Sequence, residues 1–234
     1  WTWPFDQYQP IFETAKELGI HLVALNVDSE DLAVVERDGF PGLGRKQLQK
    51  YISDPSGFAE FTKPVQFRTY TDYVIRPSYD LHKAMGLLQY TISGQKLEQD
   101  MSFRNFFSGR ILWDESMASM ANAWTAANPA GLMIGLVGAD HVKFSDGIPG
   151  RYIRMAGDSR DCTTLILNPT LIDTTPPGSV GGIANSDSSQ YPDKIILQLR
   201  YLKDNVDVMS VERTLPSSTG GVLALADYIV VSQV

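Results

Sequence analysis

Two short stretches hold the residues best suited to chemistry: an acidic pair on a predicted helix and a histidine in a predicted turn. The pair is Asp114 and Glu115, directly after Trp113, and the histidine is His141, one of three in the chain. A carboxylate and an imidazole are the minimal set for a general base or for part of a metal site. A closed metal site needs about three protein ligands, so His141 is a candidate ligand in an incomplete set.

Each of these residues also has a purely structural interpretation. In that interpretation His141, which follows an apolar run, merely caps a turn. Charged side chains are mostly exposed, so Asp114 and Glu115 can form a solvated surface pair. Two features favour a site: the helix predicted over 102–127 leads into the strand that delivers His141, and Trp113 is unusual beside a solvated pair.

The elements that would position these residues can be inferred from hydrophobic patterning. Helices are predicted at 10–18, 29–37, 79–92 and 102–127, and strands at 20–27, 132–137, 163–167, 194–201 and 226–232. The nearly continuous apolar run 20–27 is typical of a strand covered on both faces, as in a parallel sheet. The predicted fold class is α/β, a mostly parallel sheet flanked by helices with a small helical subdomain. A doubly wound sheet normally places a strand before the first helix, so we expect that first strand to be missing from this chain.

Composition divides the chain further. We predict an α/β core from residues 1–44 and 101–234, with 45–100 as a helical subdomain or insertion. Residues 172–193 are rich in Ser, Asp, Pro and Gly without an apolar period, which indicates a flexible loop.

Bulk properties exclude several classes of protein. A net charge of −7 disfavours nucleic-acid binding, which needs a basic footprint. No apolar run approaches the roughly 20 residues that span a bilayer, so no transmembrane segment is predicted. Cys162 is the only cysteine, which excludes an intrachain disulfide framework and a thiolate metal cluster. Motifs for a phosphate loop, a dinucleotide fold or a serine nucleophile are absent.

Aromatic and methionine side chains offer a further chemistry. Tyr8 belongs to an aromatic cluster near the start of the chain, and Met117 lies on the stripe of the 102–127 helix that also carries Trp113. Such side chains can line a flat apolar cofactor pocket, and tyrosine is a recognised axial ligand of haem. The alternative is that they form ordinary core.

Three sequence blocks together resemble the ChaN-like family of the Tiki/TraB/erythromycin-esterase-type superfamily. The first block is Trp3 to Asn26, WPFDQYQPIFETAKELGIHLVALN, and the second is Ile111 to Ala118, ILWDESMA. The third is the pattern Gly-x-x-His…Gly-x-Pro made by Gly138, His141, Gly147 and Pro149, and a weaker match is Ala226-Asp227-Tyr228.

The resemblance implies an α/β core with a small helical subdomain, and haem bound in a dimer through a tyrosine. Tyr8 is the first candidate ligand because it lies in a matched block; Trp113, Asp114, Glu115, Met117 and His141 are the other candidate cofactor-binding residues. Superfamily relatives that are hydrolases or metal-dependent proteases carry a Gly-Glu-x-His block on the first strand. That block is not in this sequence, which weakens the case for a two-histidine metal site.

Three functions remain open, and a non-enzymatic role is favoured. The first is a haem- or tetrapyrrole-binding protein in cofactor trafficking or sequestration. The second is a scaffold, either a homodimer or a subunit of a larger assembly, that keeps the fold without the site. The third is a metal-dependent hydrolase that uses Glu115, His141 and a bound divalent metal. The diverged C-terminal region favours a chloroplast location over the bacterial cell envelope.

Overall fold

A computed structural model describes residues 5–170, 198–202 and 220–231. Its described helices and strands are, in chain order, α1 (Gln9–Glu17), α2 (Ser29–Asp38), α3 (Arg45–Tyr51), α4 (Pro55–Phe61), α5 (Val65–Tyr70), α6 (Arg76–Ala84), α7 (Phe103–Ala127), α8 (Ile148–Ala156), β1 (Leu165–Leu167), β2 (Gln198–Leu202), β3 (Gly220–Ala224) and β4 (Tyr228–Val230). A π-helical turn, Thr71–Ile75, joins α5 to α6. The described part of the chain is therefore mostly helical.

Local capping explains where the main helices begin. The Asp28 carboxylate accepts hydrogen bonds from the first backbone N–H groups of α2, and the Ser102 hydroxyl accepts one from the first turn of α7. Pro10 occupies the first turn of α1, where its missing N–H costs nothing. The helices predicted at 10–18, 29–37 and 102–127 are confirmed within two residues at each end.

Helix α7 is the centre of the core and is buried on several sides. Ile111 belongs to a cluster with α5 and the C-terminal strands, Leu112 to a cluster with α2 and α3, and Ala118 to a cluster with α8. Gly109 lets α2 approach closely, because a β-carbon there would lie 3.2 Å from the side chain of Glu36. The long helix thus carries the candidate acidic pair through the middle of the packed protein.

The described sheet is small. β1 pairs with β4 in parallel, with Ile166 opposite Ile229, and β2 pairs with β3 in antiparallel. Asp227 joins β1 to β4, because its carboxylate accepts hydrogen bonds of 2.7 Å from both the N–H and the hydroxyl of Thr164. A parallel α/β element is therefore present, but it has two strands.

Two predicted strands are not strands in the structure. Residues 20–27 and 132–137 have no regular secondary structure, and the backbone groups of 21–25 and 132–137 hydrogen-bond to no other described residue. Several of their apolar side chains are exposed, as at Leu22 and Ile134, whereas Val27 is buried. Apolar pattern indicates that a segment suits a sheet, but a strand exists only where a partner pairs with its backbone.

The remaining strand predictions agree with the structure in part. The strand predicted at 163–167 appears as β1 and that at 226–232 as β4, each shorter than expected. The strand predicted at 194–201 overlaps β2, although its first four residues lie outside the described residues.

In the middle region, 45–100, the structure has short helices and turns. The helix predicted at 79–92 is wrong in its second half: α6 ends at Ala84, and Gly86 adopts a φ of 70°, a left-handed conformation that terminates the helix. The predicted loop 172–193 lies outside the described residues. Among the described helices, none has the length and apolar character that crossing a membrane requires.

Candidate functional site

Asp114 and Glu115 are both fully buried, so the solvated-pair interpretation is wrong. Adjacent residues on a helix point about 100° apart, and the two carboxylates therefore meet different neighbours. Asp114 faces the turn that carries His141, and Glu115 faces helix α8. A buried carboxylate must be paired to remain charged, which makes the partners of each one decisive.

Asp114 pairs with His141. One carboxylate oxygen, Oδ1, makes a short hydrogen bond with Nδ1 of the imidazole. The His141 side chain keeps 13% of its surface exposed, and among the described residues its Nε2 has no hydrogen-bond partner. A carboxylate on one ring nitrogen fixes the tautomer and leaves the other nitrogen free to bind a metal or to take a proton.

Arg110 and Tyr70 complete the surroundings of Asp114. Arg110 lies one helical turn before it, and its Nε donates to Oδ2 over 3.3 Å. The Tyr70 hydroxyl accepts from Arg110 and donates to the backbone oxygen of Asp140 over 3.1 Å. Burial alone would raise the pKa of Asp114, but Arg110 and His141 outweigh it, and that pKa lies below its ordinary value. The carboxylate facing His141 is therefore charged.

Burial also raises the pKa of Tyr70 well above its ordinary range, despite the opposing effect of Arg110. The phenol accordingly stays protonated and acts as a fixed hydrogen-bond donor rather than as a base. It anchors the backbone of the turn at Asp140, one residue before His141.

The turn between Gly138 and Gly147 is held by backbone contacts that only certain residues allow. A β-carbon on Gly147 would lie 2.2 Å from the backbone oxygen of His141, so glycine is required there. Phe144 and Ser145 both adopt positive φ, a conformation that costs free energy in residues other than glycine. The buried Phe144 ring and a 2.9 Å hydrogen bond from its N–H to the oxygen of Leu225 offset that cost. The imidazole is thus presented on a rigid turn.

The other predicted site residues have different surroundings. Trp113 meets the His141 ring edge-to-face at 5.3 Å between centroids, and its buried indole Nε1 has no hydrogen-bond partner among the described residues. Met117 is buried in the packed interior. Tyr8 lies at the N-cap of α1 and is not a member of the hydrogen-bonded cluster around His141.

Glu115 is held by two arginines of α8. Arg151 donates to its Oε2 over 2.8 Å and is itself fully buried, while Arg154 donates to Oε1. The Arg151 guanidinium also lies 4.7 Å from the centre of the Phe61 ring. With both carboxylate oxygens occupied, Glu115 is a structural anion rather than a free base.

Sequence reasoning missed four residues of these clusters: Tyr70, Arg110, Arg151 and Arg154. Arg110 carried a usable signal, because it stands four residues before Asp114, the spacing of an ion pair on one helix face. Arg151 and Arg154 stand three residues apart on α8, which places them on one face, but nothing in the sequence showed that this face meets Glu115. Tyr70 is distant in sequence from every partner.

Among the described residues, the site offers one oriented imidazole as a ligand. Within the described residues, no group of three histidine, cysteine or carboxylate side chains is arranged to hold a metal. A single oriented imidazole with a free Nε2 is the donor set of a haem iron ligand, because the macrocycle supplies the other donors.

Comparison with known proteins identifies a family. Residues 1–152 match the family model described as haem-binding uptake, Tiki superfamily, ChaN. That range includes α7, the turn with His141 and the first residues of α8. No curated protein and no solved structure matches the chain.

Proposed function

Because this chain belongs to the ChaN family of haem-binding uptake proteins in the Tiki superfamily, we propose that it binds haem or a related tetrapyrrole and serves in its trafficking or sequestration. The family supplies the ligand class. The choice of the residue that meets the iron rests on the site of this chain.

The observation that carries the proposal is the Asp114–His141 pair. Asp114 is charged, buried and bonded to Nδ1, so Nε2 is the nitrogen that would meet an iron atom. A ligating histidine with a carboxylate on its second nitrogen is more basic and better oriented than a free one. The exposed apolar side chains of Ile134 and Leu136, just before the turn, offer an apolar surface on which a macrocycle can lie.

Tyr8 is the competing ligand. The resemblance implies tyrosine ligation, and Tyr8 stands in a matched block. The two candidates make different spectra, because a phenolate and an imidazole impose different fields on the iron.

The test is a titration of the purified protein with haemin, monitored by absorbance in the Soret region. We expect saturable binding with a shifted Soret band that H141A abolishes or moves. The matched control is H82A, which removes an imidazole bonded to the backbone of its own helix and should leave the spectrum unchanged.

Two results would contradict parts of this proposal. No spectral change at micromolar haemin would reject haem binding altogether. A spectrum altered by Y8F but not by H141A would retain haem and transfer the iron ligand to Tyr8.

We extend the proposal to assembly and location. A homodimer that shares haem would sediment as twice the monomer mass only in the presence of haemin. A mass that is the same with and without haemin would reject a haem-bridged dimer. The chloroplast location stays a prediction, to be checked by imaging a fluorescent fusion of the full-length protein.

The Asp–His geometry also suits a general base, which keeps a hydrolase role as a second candidate. That role requires a bound divalent metal. Metal analysis of the full-length protein that finds less than about one tenth of an equivalent would reject it, since a catalytic metal site is occupied near one to one.

A further inference from the structure

A groove beside α5 and the first turns of α7 has an unusual lining. The groove is open to solvent and has a volume of about 440 Å³, within the size range of small-molecule sites. Its floor is aromatic and its rim is basic. The lining residues are Thr62, Lys63, Phe67, Arg68, Thr71, Asp72, Arg76, Phe103, Arg104 and Phe107.

The charge balance of the groove opposes that of the whole chain. Four cationic side chains line it against one carboxylate, Asp72, although the protein carries a net charge of −7. Asp72 is 3.7 Å from Arg76, and Lys63 pairs with Glu60. Arg68 and Arg104 form no hydrogen bond or ion pair with any residue that the structure describes. The rim therefore has an excess of positive charge.

The position of Arg104 adds to the positive charge of the groove. It stands in the first turn of α7, a helix of 25 residues that has no acidic residue in that turn. The N-terminus of a helix carries a partial positive charge, so a cation there is unfavourable. The dipole of α7 and the basic side chains of the rim thus both make the potential in the groove positive, and a bound anion would be attracted to it.

The floor indicates the rest of the ligand. Phe67 is almost fully buried beneath the groove, and Phe103 and Phe107 pack beside it. The Arg76 guanidinium lies 4.2 Å from the centre of the Phe103 ring, in cation–π contact. Such a surface accepts a flat apolar body whose charged groups point to the rim.

We propose that this groove binds a small aromatic polyanion, a planar apolar molecule with two or more carboxylate, sulfonate or phosphate groups. The groove shares no lining residue with the Asp114–His141 cluster. Binding here needs no iron ligand, and the proposal does not depend on the haem function.

The test uses pyrene tetrasulfonate, a fluorescent planar tetra-anion that contains no metal, titrated against the intact protein at low ionic strength. We expect R68E/R104E to weaken binding by about 100-fold, since each of the two lost charge-assisted contacts is worth roughly 1.4 kcal/mol, a factor of ten. The matched control is R45E/K46E, which makes the same change of net charge on exposed residues of α3.

Folding is checked separately. Glutamate suits the first turn of a helix better than arginine, so R104E alone should raise the melting temperature of the free protein. A loss of binding in a protein that melts no lower than the wild type is therefore a loss of the site.

Competition distinguishes the source of the charge. Metal-free protoporphyrin presents two carboxylates and a nucleoside diphosphate presents phosphates; displacement of the probe by either supports the proposal and names the chemistry. If neither compound displaces the probe, the proposal is wrong. Equal weakening in R68E/R104E and R45E/K46E also overturns it, because the attraction would then depend on net charge alone.

Discussion

Asp114 and Glu115 are neighbours on one helix and equally buried, yet their carboxylates bond to different kinds of partner. Glu115 has both oxygens bonded to arginines of α8, one of which is fully buried. Asp114 bonds to both Arg110 and the imidazole of His141. In the first arrangement both carboxylate oxygens are occupied, although Arg151 and Arg154 each keep buried nitrogens without a hydrogen-bond partner among the described residues. The second arrangement ends in a ring nitrogen without a partner among the described residues.

This difference separates what holds the fold from what is available to a ligand. A carboxylate surrounded by guanidinium groups stabilises packing between α7 and α8, and it has no capacity left for chemistry. A carboxylate bonded to one nitrogen of an imidazole orients the ring and leaves Nε2 for a ligand or a proton. Substitutions at the two positions should therefore have separable effects on stability and on binding.

The largest expected effect is on stability, from E115Q. Glutamine keeps the size of the side chain but removes the charge that balances two arginines. Breaking a buried ion pair from one side costs about 3–5 kcal/mol. The measurement is the free energy of unfolding from urea denaturation.

The control for that change is E60Q, because Glu60 pairs with Lys63 on the surface. A surface pair is worth about 0.2–1 kcal/mol. Should E115Q cost no more than E60Q, the buried arginine cluster would not be a structural anchor.

The second effect is on binding, from D114N. An amide cannot supply the charge that orients His141 through its Nδ1. Losing such a partner lowers the affinity of a ligand for the histidine by about 10–100-fold. Haemin affinity, measured below the melting transition of the variant, provides the check.

E115Q provides the comparison for D114N, since it should bind haemin as the wild type does while the protein stays folded. If both variants lost affinity equally, the two carboxylates would not be separable in function.

The smallest effect is a pH dependence of stability, which arises from Asp146 near Arg151. Asp146 is buried with one carboxylate oxygen unpaired among the described residues, and burial raises its pKa to about 6. Gln66 and Arg151 only partly oppose that rise. A raised pKa in the folded state means that the folded protein holds its proton between about pH 4 and 6 while the unfolded chain has lost it. Stability should therefore fall as the pH rises through this window, by at most about 1.4 kcal/mol per pH unit.

D146N should remove that part of the decline. Glu36, whose pKa burial raises to about 7, should still lower stability up to neutral pH, and E36Q should remove that part instead. A stability curve for D146N that matches the wild type between about pH 4 and 6 would assign the dependence to other groups.

Several features could be predicted from sequence because their causes are local. Asp28 and Ser102 begin α2 and α7 through contacts only a few residues away. Gly138, His141, Gly147 and Pro149 formed a pattern recognisable without structure, and the close contact of Gly147 with His141 gives its physical reason. The runs 20–27 and 132–137 failed as strands because pairing depends on a remote partner, which no local pattern supplies.

The sequence by itself determined helices α1, α2 and α7, the family, and the two short stretches in which the candidate site lies. Each depends on residue types within about one helical turn or on a pattern of a few positions. Only the tertiary structure decided which carboxylate meets His141. The two carboxylates are one residue apart, and their roles are set by Tyr70 and Arg151, which approach from other parts of the chain.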